Sequence, residues 1–322
     1  MTVKWMIKRM MMGIVVLIVV SFFSFWMLDQ APGNLAASYY GGNAQTLNAS
    51  EIERINETFD LNRPMMERYF SWLQEATQKN LGYSSKEGRP VVDILSEKVP
   101  NTIVLVAVSL LLIIALSIPL GLKAGMKKDS ILSKLVSNLS IIMSSIPAFW
   151  LGLVLIWLFS LQLGLLPSSG MKSIGSDGSL LDRLTHLVLP VTVLVVSHVG
   201  LYARFLQESV IVENTKYYVL VMNANGVDKK TIERGILKNA LSPYISYFAM
   251  TLPSFFGGSV IIESLFSFGG LGQLLVKAVS SKDFPVLMGG VLTMGIFVVV
   301  TLFIADCILY IVNPQIRKEG VR

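Results

Sequence analysis

Residues 223–243 have the sequence NANGVDKKTIERGILKNALSP, a polar stretch that lies between two strongly apolar ones. Gly226 interrupts it, and the carboxylate of Asp228 can cap the backbone N–H groups of a helix that follows. An apolar stripe at Ile232, Ile236 and Ala240, spaced four residues apart, predicts that one face of this helix is buried. The residues opposite the stripe are charged: Lys229, Lys230, Glu233, Arg234 and Lys238. The pattern predicts a helix, a glycine turn and a second helix that together form a docking surface.

The composition places the chain in a membrane. Of its 322 residues, 53% are hydrophobic and 15% are charged, and the mean hydropathy is +0.62. Soluble domains carry about 25% charged residues. The net charge of +6 comes from basic residues that flank apolar runs, so it does not indicate a nucleic-acid partner. The single cysteine, Cys307, excludes an internal disulfide and is interpreted as a small buried hydrophobe.

Six apolar segments account for the hydropathy, since a helix needs about 20 apolar residues to cross the hydrocarbon. They are residues 10–28, 102–122, 139–161, 187–203, 244–265 and 286–312. Ser242-Pro243 predicts a fresh helix start for the fifth segment. The fourth contains Pro190, and its helix is expected to continue through Arg204. Gly121 and Gly125 are spaced for close contact between helices, or are only loop glycines at a span end.

Basic residues set the expected orientation. With the N-terminus inside, sixteen Lys and Arg residues lie in the short inner segments and four in the two short outer loops. The predicted fold is therefore an all-α polytopic membrane protein with six transmembrane helices, N-in and C-in. The stretch that carries Asp228 is expected in the cytosol.

Three regions are expected along the chain. Residues 1–28 are the cytosolic N-terminus and first span, which is too long for a typical signal peptide. Residues 29–100 form a small extracytoplasmic domain, with helices at 50–59 and 64–78 and aromatic residues Tyr69, Phe70 and Trp72 at helical spacing. Residues 101–322 form a five-helix transmembrane core with a cytosolic loop at about 205–242.

The chain has no sequence signature of an enzyme. No phosphate-binding glycine loop with its lysine is present, and His186 and His198 have no partners at metal-ligand spacing, so no metal site is predicted. Three polar residues in or near spans, Glu263, Asp306 and His198, are candidates for a pathway or gate, because ionisable groups in lipid are costly. The alternative for each is a polar group satisfied by neighbouring helices.

The order of several short motifs resembles the permease subunits of ATP-binding-cassette importers for dipeptides, oligopeptides and nickel, in particular the subunit with a large first outer loop. The resemblance runs almost end to end. Its motifs are Ala31-Pro-Gly33, Leu61-Asn-Arg-Pro64, Asn80-Leu-Gly-Tyr-Ser84, Asn101-Thr102, His186-Leu-Val-Leu-Pro190, the segment from Gly257 to Gly272, Asp283, Pro285 and Asn313-Pro-Gln-Ile-Arg317.

The resemblance implies that the cytosolic loop docks on an ATPase. The residues that match or surround the family's loop motif are Tyr218, Ala224, Gly226, Val227, Asp228, Lys229, Lys230, Arg234 and Asn239. This chain departs from the motif before the glycine, where Leu220 occupies the usual acidic position. Contact by shape and apolar surface is therefore expected there.

The resemblance also implies the partners. They are a homologous second permease subunit, two cytosolic ATPase subunits that bind ATP and magnesium, an extracellular substrate-binding protein and the bilayer of a bacterial cell membrane. This chain is expected to bind no cofactor and to be non-catalytic. Peptides are the expected cargo, and nickel or a metal chelate is the alternative. A carrier driven by an ion gradient, motivated by Glu263, Asp306 and His198, is the rival from another class.

Overall fold

A computed structural model describes residues 3–30, 49–58, 61–173, 175–176 and 178–312. Within these residues the regular structure is helical. The α-helices are α1 Val3–Asp29, α2 Ala49–Thr58, α3 Met65–Thr77, α4 Val91–Met126, α5 Ile131–Ser145, α6 Ala148–Leu155, α7 Leu180–Asn214, α8 Tyr217–Ala224, α9 Lys229–Leu265, α10 Leu271–Ser281 and α11 Phe284–Val312. A π-helical segment, Ile156–Gln162, extends α6.

Five helices of the described part are long and apolar enough to cross a membrane: α1, α4, α7, α9 and α11. They contain five of the six predicted spans, and α7 continues past Arg204 with Pro190 inside it, as predicted. The pair formed by α5 and the extended α6 is a sixth span if it is counted as one. The chain is an all-α polytopic membrane protein.

The third predicted span is bent and consists of two helical segments. It is broken at Ile146-Pro147, where α5 and α6 meet at 91°. Ile146 is extended, with φ −83° and ψ 122°, because the ring of a following proline disfavours the helical conformation. Pro147 then precedes the first turn of α6, where its missing N–H costs no helical hydrogen bond.

The predicted helix start at Ser242-Pro243 is wrong. One helix, α9, runs from Lys229 to Leu265 and contains both Pro243 and Pro253. A proline removes one hydrogen bond, but its φ near −65° is compatible with a helix. Membrane helices tolerate such residues where neighbouring groups satisfy the freed backbone carbonyls.

The chain divides into two compact units. One consists of Met1–Lys8, Val104–Phe268 and Val300–Arg322, and the other of Arg9–Ile103 and Gly269–Val299. The expected boundaries at residues 28/29 and 100/101 stay a prediction. Residues 31–33 and 313–322, which carry two of the family-like motifs and three basic residues of the orientation argument, lie outside the described part.

In the second unit the outer helix α3 packs on the end of α1. Tyr69, only 2% exposed, donates to the carbonyl of Ile18 at 3.1 Å and meets Phe22 and Phe25 edge-on. Arg68 pairs with Asp29. The predicted helices at 50–59 and 64–78 are confirmed as α2 and α3, except that residue 59 is outside the described part.

Distant motifs of this unit meet through polar contacts. Asn101 Nδ2 donates to the carbonyl of Gly269 at 2.8 Å, and Thr102 Oγ1 accepts from the backbone N–H of Leu271 at 2.8 Å. Asp283, which is 3% exposed, accepts hydrogen bonds from Ser84 Oγ and from the backbone N–H of Ser85. These contacts hold the start of α10 and of α11 to segments about 170–200 residues earlier.

In the first unit α7 is the central helix, with α4, α5 and α9 packed on it. Gln207, which is 2% exposed, donates to the carbonyl and to Oγ of Ser133 on α5, at 3.1 and 2.8 Å. A side chain at Gly125 of α4 would meet the carbonyl of Gln207 at 2.7 Å and the Cβ atom of Val210 at 2.6 Å. The glycine pair of α4 therefore permits close helix packing and does not belong to a loop.

We expect Gly125→Ala to lower the stability of the protein by about 2 kcal/mol, because the added methyl group would meet backbone and force α4 from α7. Gly235→Ala is the matched control. Gly235 lies inside α9, and no atom lies within 4 Å of the position that an alanine Cβ would take, so alanine there is expected to be neutral or to stabilise by up to ~1 kcal/mol. Thermal unfolding in lipid nanodiscs measures both, and equal shifts of the two variants would contradict the packing argument.

Candidate functional site

Residues 217–240, which include most of the polar stretch, form two helices joined by a tight turn. Helix α8 ends at Ala224, and Gly226 has a φ of +69°, a conformation that favours glycine. The N–H of Gly226 donates to the carbonyl of Asn223, and that of Val227 to the carbonyl of Met222, both at 3.1 Å. This is the hydrogen-bond pattern of a Schellman helix end, which defines the direction in which the chain leaves α8.

Asp228 caps the next helix, as predicted. Its carboxylate accepts from the backbone N–H of Thr231 at 2.9 Å and from Thr231 Oγ1 at 2.6 Å. These hydrogen bonds hold the pKa of Asp228 below its ordinary value. Because a lowered pKa keeps the carboxylate ionised near neutral pH, the cap is present under cellular conditions.

The first turns of α9 are amphipathic, as predicted. Ile232, Ile236 and Ala240 are 5%, 0% and 1% exposed. The basic residues on the opposite face are exposed: Lys229, Lys230, Arg234 and Lys238. Lys229 pairs with Glu233 one turn on, at 3.8 Å. Helix α9 therefore buries one face in the protein and presents a basic face outward.

Helix α8 is anchored at its first turn. Tyr218 Oη accepts a hydrogen bond from Asn239 of α9 at 3.2 Å and lies beside a groove that Glu213 of α7 also lines. Burial raises the pKa of the Tyr218 phenol above its ordinary value, so the hydroxyl remains a donor at neutral pH. Val219, which follows, is 2% exposed. The start of the helix is thus fixed to α9, next to the end of α7.

The outer face of α8 is apolar. Tyr217 is 79% exposed and Leu220 is 65% exposed. Beside the helix lies a groove of about 890 Å³ between the end of α7, α8 and α9, with Phe205, Glu208 and Lys238 among its lining residues. Ala224, Gly226 and Asp228 are exposed, and Val227 is half-buried. The predicted loop residues therefore form one ordered, accessible surface.

The three candidate pathway residues lie on three different helices. His198 of α7 is hydrogen-bonded through Nδ1 to the carbonyl of Leu194 at 2.8 Å and meets the ring of Phe255 edge-on, with the ring centres 4.8 Å apart. Glu263 is fully buried in α9, eight residues or about 12 Å beyond Phe255. Asp306 is half-buried in α11. Their role in a pathway stays a prediction.

One residue of the site was not predicted from the sequence. Glu213 is 5% exposed and lies on the buried stripe of α7 that includes Leu206 and Val210. Its carboxylate pairs with Lys216 at 2.5 Å. An acidic residue at a position of an apolar stripe was the available signal, but its pairing with Lys216, just beyond the end of α7, is visible only in the structure.

Two family models match the chain and together cover most of it. The model for the inner membrane component of binding-protein-dependent transport systems matches residues 117–318. The chain belongs to this family. A model for the N-terminal part of such membrane components matches residues 2–106. The protein is thus a multi-pass permease component of a bacterial membrane transport system.

Similar permeases cover almost the whole chain. The oligopeptide transport system permease protein AppB of Bacillus subtilis is 31% identical over 97% of this chain and 99% of its own length. The metal-staphylopine import system permease protein CntB of Staphylococcus aureus is 31% identical over 99% of both chains. A putative peptide permease protein of Brucella suis is 29% identical over 98% of this chain and 99% of its own.

Proposed function

We propose that this permease is a membrane-spanning subunit of an ATP-binding-cassette importer and forms the translocation pathway with a homologous second permease subunit. An extracellular binding protein delivers the cargo. Two cytosolic ATPase subunits bind ATP and magnesium and hydrolyse the nucleotide, whereas this chain is non-catalytic and binds no cofactor. Membership of the permease family supports the architecture.

The observation that carries the proposal is the ordered unit of α8, the Gly226 turn and the start of α9. A soluble ATPase that closes on nucleotide needs a stiff element to push, because a flexible loop would absorb the motion. Helix α8 is capped by a Schellman turn, and α9 continues from its capped start at Asp228 into a membrane span. A displacement of α8 therefore moves a membrane span. The transporter has two conformations, in which the pathway opens to opposite sides of the membrane, and nucleotide shifts the equilibrium between them.

The exposed face of α8 indicates how the ATPase is held. Tyr217 and Leu220 present apolar surface, and Leu220 occupies the position where the family motif usually has an acid. Contact through shape and apolar burial therefore predominates at α8, while the basic face of α9 adds charge beside it. We accordingly place this surface, residues 217–240, in the cytosol, in keeping with its excess of basic residues.

Peptides are the proposed cargo. Two of the similar proteins are named as peptide or oligopeptide permeases, and one is named as a metal-staphylopine permease at the same identity. Import of a metal chelate by the same architecture is therefore the second candidate. The external binding protein selects the cargo first, so its chemistry, and not that of this chain alone, decides between them.

The proposal is tested in proteoliposomes that contain the complete transporter and its binding protein. The probes are a radiolabelled peptide identified by mass spectrometry of the purified binding protein and, separately, a nickel chelate. We expect peptide uptake to require ATP and to persist when ionophores dissipate the proton and sodium gradients. Uptake that stops with the gradients at constant ATP would establish an ion-driven carrier and overturn the importer. Uptake of the nickel chelate instead of the peptide would show that the cargo is a metal chelate and not a peptide.

A further inference from the structure

Glu213 is a buried carboxylate next to the surface that we propose as the ATPase contact. It lies in the last turn of α7 and is 5% exposed. A buried charge is costly unless it is paired and hydrogen-bonded. Glu213 has a charged partner, since Oε2 lies 2.5 Å from Lys216 Nζ, and its carboxylate lines the same groove as the phenol of Tyr218.

These residues lie at the junction of three elements. Glu213 belongs to α7, Lys216 precedes α8 as its N-cap, Tyr218 belongs to the first turn of α8, and Asn239, which donates to Tyr218 at 3.2 Å, belongs to α9. We call these four residues the anchor cluster. The main chain contributes as well, because the N–H of Lys216 donates to the carbonyl of Glu213 at 3.1 Å. Only Thr215 and Lys216 separate α7 from α8, so the cluster closes a very short connection.

The anchor cluster complements the turn at the other end of α8. The Schellman turn fixes how the chain leaves α8 toward α9, but it does not connect α8 to α7. Without the cluster, α8 could pivot about its Gly226 end when it is pushed. With the cluster, the push reaches α7 and α9 together, and α7 is the helix on which α4, α5 and α9 pack.

We infer that Glu213 is a positioning residue for coupling, which holds the first turn of α8 against α7 and α9 so that ATPase movement is transmitted to the spans. This inference depends on the proposed function of α8 as the ATPase contact. A role in stability alone is the competing explanation. The ratio of transport to ATP hydrolysis separates the two explanations, because a loss of stability lowers the amount of assembled transporter but not this ratio.

The test is the number of peptides transported per ATP hydrolysed, measured in proteoliposomes with the complete transporter and its binding protein. Glu213→Ala removes the carboxylate and its ion pair with Lys216, Glu213→Gln removes only the charge, and Tyr218→Phe removes the hydrogen bond between α8 and Asn239 of α9. We expect the ratio to fall about three- to tenfold in Glu213→Ala, in line with residues that modulate coupling between distant sites, and less in Glu213→Gln. Assembly and the maximal ATPase rate are expected to stay close to those of the wild type.

An ion-paired carboxylate away from the ATPase-contact surface is the control. Glu97 of α4 pairs with Arg89 at 2.7 Å and belongs to the second compact unit. Glu97→Gln is expected to leave the ratio unchanged. A fall in this control equal to that of Glu213→Ala would overturn the inference, since it would reflect general loss of charge.

An unchanged ratio in assembled Glu213→Ala transporter would also overturn it. If Glu213→Ala fails to assemble, Glu213→Gln and Tyr218→Phe provide the test. A wild-type ratio of transport to ATP hydrolysis in both variants would show that the anchor cluster is not needed for coupling. Failure of the proposed function is distinguishable, because it would appear as wild-type transporter whose peptide uptake does not require ATP.

Discussion

Gly226→Pro is expected to reduce ATP-driven uptake by the assembled transporter at least about tenfold, while the ATPase subunits continue to hydrolyse ATP. Proline fixes φ near −65°, whereas Gly226 has φ +69°. It also removes the N–H that donates to the carbonyl of Asn223. Helix α8 would then leave the turn in another direction, so its contact with the ATPase would no longer drive α9. Uptake and ATPase rate in the same proteoliposomes measure the effect.

The matched control distinguishes the cost of backbone strain at a positive φ from the effect of that residue's position in the coupling turn. Gly226 and Gly164 both have positive φ, at +69° and +60°, and neither has an atom within 4 Å of a Cβ position. Alanine at either site costs about 1 kcal/mol of conformational strain. We expect equal losses of thermal stability in Gly226→Ala and Gly164→Ala, but a lower transport-to-ATP ratio only in Gly226→Ala. Wild-type uptake by assembled Gly226→Pro transporter would refute the lever mechanism.

Asp283→Ala is expected to destabilise the protein by about 3 kcal/mol and to lower the amount of assembled permease. Its carboxylate is 3% exposed and accepts from Ser84 Oγ and from the N–H groups of Ser85 (3.3 Å) and Lys86 (3.4 Å). Removal takes this acceptor from the buried Ser84 hydroxyl and from the N–H of Ser85, whereas the N–H of Lys86 keeps Ser84 Oγ at 3.2 Å. Hydrogen bonds to a charged group contribute about 1.5–3 kcal/mol each. Thermal unfolding in nanodiscs and the yield of intact complex measure the loss.

Asp283→Asn and Asp93→Ala test the reason for this loss. Asparagine keeps one acceptor oxygen and is expected to retain part of the stability. Asp93 is an exposed acid in the first turn of α4, within the same unit, and its removal is expected to change stability by less than about 0.5 kcal/mol. A loss in Asp93→Ala as large as that in Asp283→Ala would show that charge, and not the buried network, is responsible.

Local features of the candidate site followed from the sequence because their causes are local. Gly226 and Asp228 act within four residues of themselves, through a turn and a helix cap. The stripe of Ile232, Ile236 and Ala240 is a periodic pattern, and its burial is confirmed by exposures of 5% or less. The long apolar segments similarly predicted helices α1, α4, α7, α9 and α11, since hydrocarbon leaves a backbone few alternatives to a helix.

Prolines were predicted poorly because their effect depends on their surroundings. Pro147 coincides with a 91° break between α5 and α6, whereas Pro243 lies inside a continuous α9. Nothing in the residues beside either proline separates the two cases. The difference lies in whether neighbouring groups support the helix across the missing hydrogen bond, and those neighbours come from the tertiary structure.

The sequence by itself determined that the chain is an all-α membrane protein with a capped, amphipathic helix after a glycine turn, because hydropathy, caps and periodicity act over a few residues. Only the tertiary structure decided which distant residues meet. It placed Asp283 against Ser84, Gly125 against α7, and Glu213 in one groove with Tyr218 and Asn239. Such contacts join residues whose separation along the chain carries no periodic signal, so they depend on how helices pack and not on any local pattern.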